Sequence, residues 1–128
     1  MNEHTFEFVK DYFQEVDGFR FKKMFGGQAL MIYNKMILVL MDGEETSYRG
    51  KDYGEKIWNG VLIPTSKEHH SMLMKKFPQI KPHKVLGKWL FLPAEHADFE
   101  ETCEAISEEI IRGNRLFGIT TKESRGRG

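Results

Sequence analysis

Residues 24–43, which read MFGGQALMIYNKMILVLMDG, decide the fold of this chain. Two apolar runs, residues 28–33 and 36–41, lie on either side of Asn34-Lys35. Because Asn tolerates positive φ, this pair predicts a two-residue hairpin turn between two strands. Both strands are apolar along nearly their whole length. They are therefore either central strands covered on both faces, or strands with one exposed apolar face.

Gly26 and Gly27 interrupt the β pattern just before the first of these strands. Adjacent glycines in a strand pattern predict a bulge, a tight bend or the close approach of another backbone. An anion-binding loop is the alternative, but neither a Lys-Ser or Lys-Thr pair nor a helix start follows. We therefore expect the two glycines to be structural residues of the hairpin.

Helical periodicity appears at both ends of the chain. Apolar residues from Phe6 to Val16 recur at steps of three and four, which predicts a first helix with Gly18 as its C-cap. A similar stripe predicts a closing helix over residues 98–112. The remaining predicted elements are strands at 19–25, 46–49, 61–63 and 85–92, helices at 52–58 and 65–76, the latter opened by a Thr65/Glu68 capping box, and a loop at 79–84. This order predicts an α+β fold, an antiparallel β-sheet meander flanked by N-terminal and C-terminal helices.

Length and composition limit the classes of protein to consider. At 128 residues the chain is long enough for one hydrophobic core, which we expect in a single domain over residues 1–114 with a flexible tail at 115–128. Lys plus Arg equal Asp plus Glu at 19 each, so no bulk charge draws the protein toward nucleic acid or a membrane. The lone Cys103 cannot form an internal disulfide, and no apolar run is long enough for a membrane helix. We expect a cytoplasmic protein.

The segment Met24 to Gly27, the turn around residues 34–36, the Asp42-Gly43 turn and the pair Tyr48-Arg49 together resemble the N-terminal domain of the TfoX/Sxy competence-regulator family. The resemblance runs from about residue 19 to residue 112. It implies an α+β fold and a regulatory role in bacteria, alongside a DNA-bound transcription activator. The family supplies no catalytic residues, and only Gly26, Gly27 and Arg49 carry over residue by residue.

The residue types that carry chemistry do not form a recognisable motif. His69 and His70 are adjacent and would point about 100° apart on a helix, so they cannot chelate one ion from one face. No metal or cofactor is therefore expected. The alternative is a zinc site assembled by folding from His70, His83 and His96. Cys103 lies on the apolar stripe of the last helix, which favours a buried small hydrophobe over a nucleophile, and no catalytic residue is predicted.

Charge is segregated along the chain, with acidic residues concentrated between positions 95 and 109. A basic patch that includes an aromatic residue is predicted from Arg49, Lys75, Lys76, Lys81, Lys84, Lys88 and Trp89. Such a patch suits a protein partner or a homodimer, with nucleic acid as the weaker alternative. The sequence therefore predicts a non-enzymatic protein-interaction or regulatory module. The alternative is a small-ligand or metal-binding protein, or an enzyme, that uses the His69, His70 and His83 region.

Overall fold

The structure, a computed structural model, describes residues 6–24 and 26–120. Phe25 and residues 121–128, which belong to the predicted first strand and the predicted tail, lie outside the described residues. In chain order the elements are α1 (Glu7–Asp11), β1 (Phe19–Met24), β2 (Gly27–Ile32), β3 (Lys35–Asp42), β4 (Ser47–Tyr48), β5 (Lys51–Asp52), β6 (Asn59–Ile63), a 3-10 turn (Lys67–His69), α2 (His70–Lys76), β7 (Lys81–Pro82), β8 (Leu90–Pro93), α3 (Phe99–Ile111) and β9 (Ile119–Thr120).

The strands form an antiparallel sheet in the order β1-β2-β3-β6-β8-β7, and β9 pairs with the start of β3. Strands β4 and β5 form a separate two-stranded sheet. Helices lie in the N-terminal and C-terminal regions, so the predicted α+β fold with an antiparallel sheet is confirmed. No helix among the described residues is long and apolar enough to cross a membrane.

The central hairpin turns one residue earlier than predicted. Ile32 pairs with Lys35, which makes Tyr33-Asn34 the turn, and it is Tyr33 rather than Asn34 that has a left-handed backbone, with φ +55. Lys35 already belongs to β3. The alternation of apolar residues could not fix this position because both strands are apolar at nearly every residue.

One face of the sheet is covered by helices. Its strands contribute residues such as Leu30, Leu38 and Leu40, which pack with apolar side chains of α1, α2 and α3 and with Phe117. Side chains of α1 and α3 meet where the rings of Phe6 and Phe99 lie 5.2 Å apart. This face, called the helix-covered face below, is the larger of the two apolar clusters and contains the predicted stripe of the last helix.

The opposite face of the sheet is buried without helices. Its strands contribute Ala29, Met31, Met36, Val39, Met41, Leu62 and Phe91, each no more than 4% exposed. The partly buried side chains that pack against this cluster include Trp58, Leu86 and Trp89, all of which lie in connecting segments. We call this the loop-covered face. The central strands are thus covered on both faces. Their apolar sequence allowed either this arrangement or one exposed apolar face, and the structure has the first.

Three predicted elements near the N-terminal half of the sheet are wrong in extent or kind. The first helix ends at Asp11, and residues 12–17 continue as tighter turns such as Val16 N–H to Phe13 C=O at 3.0 Å. No helix forms at 52–58, where the chain instead passes from β5 to the start of β6. The capping box is also absent, because Thr65 Oγ1 donates to the Leu116 carbonyl at 2.6 Å and accepts no N–H of the helix start.

Three corrections concern the later part of the chain. The predicted strand at 85–92 begins only at Leu90, and the predicted loop at 79–84 contains the short edge strand β7, where Pro82 is tolerated. Within the predicted tail, Phe117 is 1% exposed and β9 joins the sheet, so the packed part of the chain extends past residue 114.

Candidate functional site

Two segments leave the sheet and return to it on adjacent strands. Residues 43–58 connect β3 to its neighbour β6, and Gly43 N–H donates to the Trp58 carbonyl at 2.7 Å where the segment begins and ends. Residues 83–89 connect β7 to its neighbour β8, and His83 N–H donates to the Trp89 carbonyl at 3.0 Å. Each segment is therefore a loop closed by a backbone hydrogen bond. We call them the first excursion and the second excursion.

The tip of the first excursion is the β4–β5 hairpin. Arg49 (φ +53) and Gly50 (φ +83) form its two-residue turn, and left-handed residues at both positions match the twist of a tight hairpin. The hairpin is joined to the rest of the excursion by Tyr48, whose ring meets that of Trp58 with centroids 5.6 Å apart and planes 68° apart. An edge-to-face pair of this kind holds the hairpin against the domain.

His83 connects the two excursions. Its Nε2–H donates to the Ile57 carbonyl of the first excursion at 2.6 Å. Its Nδ1 accepts the backbone N–H groups of Val85 and Leu86 at 3.0 and 2.9 Å, within the second excursion. The centroid of the His83 ring also lies 4.7 Å from that of the Trp58 ring. One buried imidazole therefore fixes the path of one loop and ties it to the other.

The contacts of His83 require the neutral ring with the proton on Nε2. Burial lowers the pKa of His83 below its usual range, against the raising effect of its hydrogen bond to the Ile57 carbonyl. A second proton would have to sit on Nδ1, which faces two N–H donors and has no acceptor there. The ring is only 2% exposed, and both of its nitrogens are engaged by the backbone.

A groove of about 430 Å³ lies where the two excursions meet. The first excursion lines it with Glu45, Ser47, Tyr48 and Trp58, and the second contributes Leu86. A smaller depression of about 260 Å³ shares Leu86 and continues along residues 85–89. The groove is thus lined by two aromatic rings and an aliphatic side chain, with one carboxylate and one hydroxyl as its polar groups.

Gly43 makes room for the acidic group of this groove. A Cβ at residue 43 would lie 2.9 Å from Glu45 Oε1 and 3.3 Å from the Trp58 Cβ, so any larger residue would push against both. Glu44 pairs with Lys56 at 3.0 Å, whereas Glu45 makes no ion pair or hydrogen bond with the described part of the chain. The carboxylate of Glu45 therefore lies beside Trp58 without a partner among these residues.

The structure divides the predicted basic patch into separate ion pairs. Lys81 and Lys84 both contact Glu55, at 3.2 and 3.4 Å, and these contacts lower the pKa of Glu55 although partial burial raises it. Lys76 pairs with Glu109 of the acidic helix at 3.3 Å. Much of the predicted positive charge is thus compensated locally.

The other predicted members of the patch have different surroundings. Arg49 lies over the Tyr48 ring at 5.3 Å, at the edge of the groove. Trp89 is partly buried on the loop-covered face, and the Lys88 carbonyl accepts a hydrogen bond from His70 Nε2 at 2.8 Å. Lys75 is exposed at the end of α2 and forms no ion pair with the described residues.

Of the two predicted hairpin glycines, Gly26 lies between β1 and β2, and Gly27 begins β2. Gly26 has φ +80, a left-handed conformation that favours glycine. A Cβ at Gly27 would collide with the Leu40 carbonyl of β3 and come within 2.6 Å of Met41 Sδ. Gly27 therefore permits the close approach of another backbone, which is one of the three arrangements that the adjacent glycines predict.

The histidines of the described residues and Cys103 do not come together as a metal-binding group. His69 Nδ1 lies 3.3 Å from the hydroxyls of both Thr65 and Ser66, and His96 Nδ1 accepts the Asp98 N–H at 3.0 Å. Within residues 6–24 and 26–120, no group of three or more His, Cys, Asp or Glu side chains is placed to hold a metal ion. Burial raises the pKa of the Cys103 thiol to about 12, so this thiol is protonated at neutral pH.

Comparisons with known protein families, with characterised proteins and with solved structures find no match to this chain. Any function proposed for the groove therefore rests on the geometry of the groove itself. None of the residues that line it was predicted as a site residue, although Tyr48 belongs to the pair Tyr48-Arg49 that contributes to the family resemblance, and its neighbour Arg49 was predicted in the basic patch. The only sequence signal for it is local: Tyr48 immediately precedes an Arg-Gly turn, which places a large ring at the base of a hairpin.

Proposed function

We propose that this chain is a non-enzymatic protein-interaction module whose partner binds at the groove between the two excursions. The proposal rests above all on one observation: the groove presents the half-buried rings of Tyr48 and Trp58 beside an unpartnered carboxylate. Aromatic side chains of this kind provide large contact area at little conformational cost, and they dominate the binding energy of many interfaces.

The support around the groove is consistent with a rigid binding surface. His83 ties the excursions together through Ile57, Val85 and Leu86, so the two walls are held in one arrangement before any partner arrives. Pre-organisation of this kind reduces the entropy that binding would otherwise cost. The two walls come from loops rather than from the strands that form the core, as is common for binding sites.

The sequence resemblance to the TfoX/Sxy N-terminal domain belongs to the same proposal. It suggests that the partner is a regulatory protein, such as a DNA-bound transcription factor, in a bacterial cytoplasm. The alternative of an enzyme or metal protein built on His69, His70 and His83 finds less support. The His83 ring uses both nitrogens to hold the backbone, and the other two engage neighbouring hydroxyl and carbonyl groups.

Affinity purification of the tagged chain from its native cells tests this function. The wild-type chain is compared with Tyr48→Leu, which removes one wall of the groove, and with Tyr53→Leu, a matched control on the same hairpin outside the groove lining. We expect a partner that Tyr53→Leu retains and Tyr48→Leu loses by at least tenfold.

Light scattering on the same samples distinguishes a second copy of the chain from a different partner. Retention that is equal in both variants, or a strict monomer with no retained protein, would contradict the proposal. Loss of the partner only on charge reversal of Lys75, Lys76 and Lys84 would instead place the interface on the basic patch.

A further inference from the structure

We propose that the groove recognises a cationic side chain, a Lys or an Arg of the partner, and this inference rests on the proposed function. The side chains of Tyr48 and Trp58 and one carboxylate, that of Glu45, line the same space. Tyr48 and Trp58 stand at 68° to each other with centroids 5.6 Å apart, an edge-to-face pair, and each ring also contributes to the groove lining. The faces of aromatic rings are electronegative and attract a cation within about 6 Å of the ring centroid.

The charge of the groove favours a cation over an anion. Among the described residues, Glu45 is the one carboxylic acid that lines it, and no basic side chain does. The carboxylate lies beside Trp58, above Gly43, and has no ion-pair partner among the described residues. A cation that entered between the rings would meet this carboxylate, whereas a phosphate would be repelled by it.

The nearby lysines are already engaged elsewhere. Lys56 pairs with Glu44 at 3.0 Å, and Lys81 and Lys84 share Glu55. Arg49 lies 5.3 Å over the Tyr48 ring. The chain thus places one of its own cations against a groove residue, so Arg49 would compete with a cation of the partner for this ring.

The apolar part of the groove suits the stem of a long basic side chain. Leu86 lines both the groove and the adjoining depression along residues 85–89, so an apolar surface continues away from the two rings. Lys and Arg bury their methylene stems on such surfaces while the charged end remains at a polar group. A Lys or Arg side chain would therefore place its apolar stem against Leu86 and its positive end beside Glu45 and the two rings.

Peptide titrations followed by NMR test the inference. The probes are five-residue glycine peptides with blocked ends and one central guest residue: arginine, lysine, norleucine as the neutral isostere, or glutamate. A single-stranded oligothymidine ten-mer is the fifth probe. We expect the arginine and lysine peptides to shift the Tyr48 amide and the Trp58 indole N–H in a saturable way. The norleucine and glutamate peptides and the oligothymidine should bind at least tenfold more weakly.

Variants separate charge recognition from simple apolar contact. Glu45→Gln should weaken arginine-peptide binding about threefold, as expected for a partly exposed charge pair. Tyr48→Leu should weaken it at least as much, and Tyr53→Leu should leave it unchanged. Arg49→Ala removes the competing cation from Tyr48 and should strengthen binding about twofold. Preferential binding of the glutamate peptide that Arg49→Ala abolishes would indicate an anion site and overturn the inference.

The outcomes distinguish this inference from the function on which it rests. Equal binding of the norleucine peptide, preferential binding of the oligothymidine, or no shift with either cationic peptide would overturn cation recognition. Partner retention that depends on Tyr48 would still stand in those cases. If instead the cationic peptides bind and the native partner is retained equally by Tyr48→Leu, the proposed function falls while the cation site remains.

Discussion

The two faces of the sheet are covered in different ways. The helix-covered face is closed by side chains from α1, α2 and α3, and its strand residues Leu30, Leu38 and Leu40 are at most 1% exposed. The loop-covered face is equally buried at the sheet, but its cover consists of two excursions that carry half-buried rings. The helices cover their face with side chains that belong to the hydrophobic core. The excursions also have an outer surface, on which aromatic and acidic side chains can contact another molecule.

The means of support differ as well. Helices satisfy their own backbone groups, so the helix-covered face needs only apolar contacts. The excursions pair some of their backbone groups within themselves, as in the β4–β5 hairpin, but a single imidazole, that of His83, satisfies further backbone groups in both of them. Truncations of side chains on the two faces should therefore lower the free energy of unfolding by different amounts.

The largest contrast is between two leucines, one on each face. Leu38→Ala should lower the free energy of unfolding by about 3 kcal/mol, because it opens a cavity in a fully buried cluster. Leu86→Ala should cost about 1 kcal/mol, because the side chain is only half-buried at the groove. Urea denaturation of both variants measures the difference. Equal losses would mean that the loop cover is as much a part of the core as the helices are.

The next effect concerns the joint between the excursions. His83→Ala should cost about 2 kcal/mol, because it leaves the Ile57 carbonyl and the Val85 and Leu86 N–H groups without their partner. His96→Ala is the matched control, since that ring accepts one backbone N–H at a more exposed site, and we expect a loss of less than about 1 kcal/mol. Similar urea midpoints for the two variants would mean that the three hydrogen bonds of His83 stabilise the fold no more than the single hydrogen bond of His96, and would contradict this prediction.

Acid should weaken the protein through the same residue. The pKa of His83 is lowered in the folded state by burial, with Glu55 raising it and Lys81 lowering it to smaller extents. Below about pH 6.5 the unfolded chain therefore takes up a proton that the folded chain excludes, and stability falls as the pH decreases further.

We expect the free energy of unfolding to fall between pH 6.5 and 5.5 because of this group, since the folded chain resists the proton that the unfolded chain takes up. Urea denaturation at a series of pH values measures it, with His83→Gln as the reference because glutamine does not titrate. A wild-type pH profile that coincides with that of His83→Gln over this range would show that protonation of His83 does not weaken the fold.

The smallest effect is expected from the ion pairs that also join the excursions. Glu55→Gln removes the shared partner of Lys81 and Lys84, and it should lower stability by about 0.5 kcal/mol at low salt. All three side chains are about a third or more exposed, so solvent screens these pairs and 1 M salt should abolish the difference. A loss that persists at high salt would mean that Glu55 packs rather than pairs.

The helix-covered face could be predicted well from sequence, because helical periodicity and β patterns reflect burial on one side. The closing helix, for example, lies at Phe99–Ile111 against a prediction of 98–112. The loop-covered face could not. Residues 85–92 are apolar enough to suggest a strand, but the His83 side chain takes the Val85 and Leu86 N–H groups out of the ladder.

The groove was missed for a related reason. It depends on contacts between residues that are distant in sequence, such as Trp58 with His83, and on Leu86 lining the same groove as Tyr48 and Trp58. No spacing rule connects these positions. The predicted basic patch failed to identify the groove because sequence proximity of lysines ignores their acidic partners, and Glu55 and Glu109 compensate three of them.

Site-specific photo-crosslinking tests the central claim, that the outer surface of the loop cover is where a partner binds. A photo-reactive phenylalanine analogue is placed at position 86 in the groove, or at position 111, an exposed position on α3 that serves as the control. Illumination in native cells should give a discrete protein adduct from position 86 and none from position 111. An adduct from position 111 alone, or none from position 86 while the chain is folded, would contradict the account.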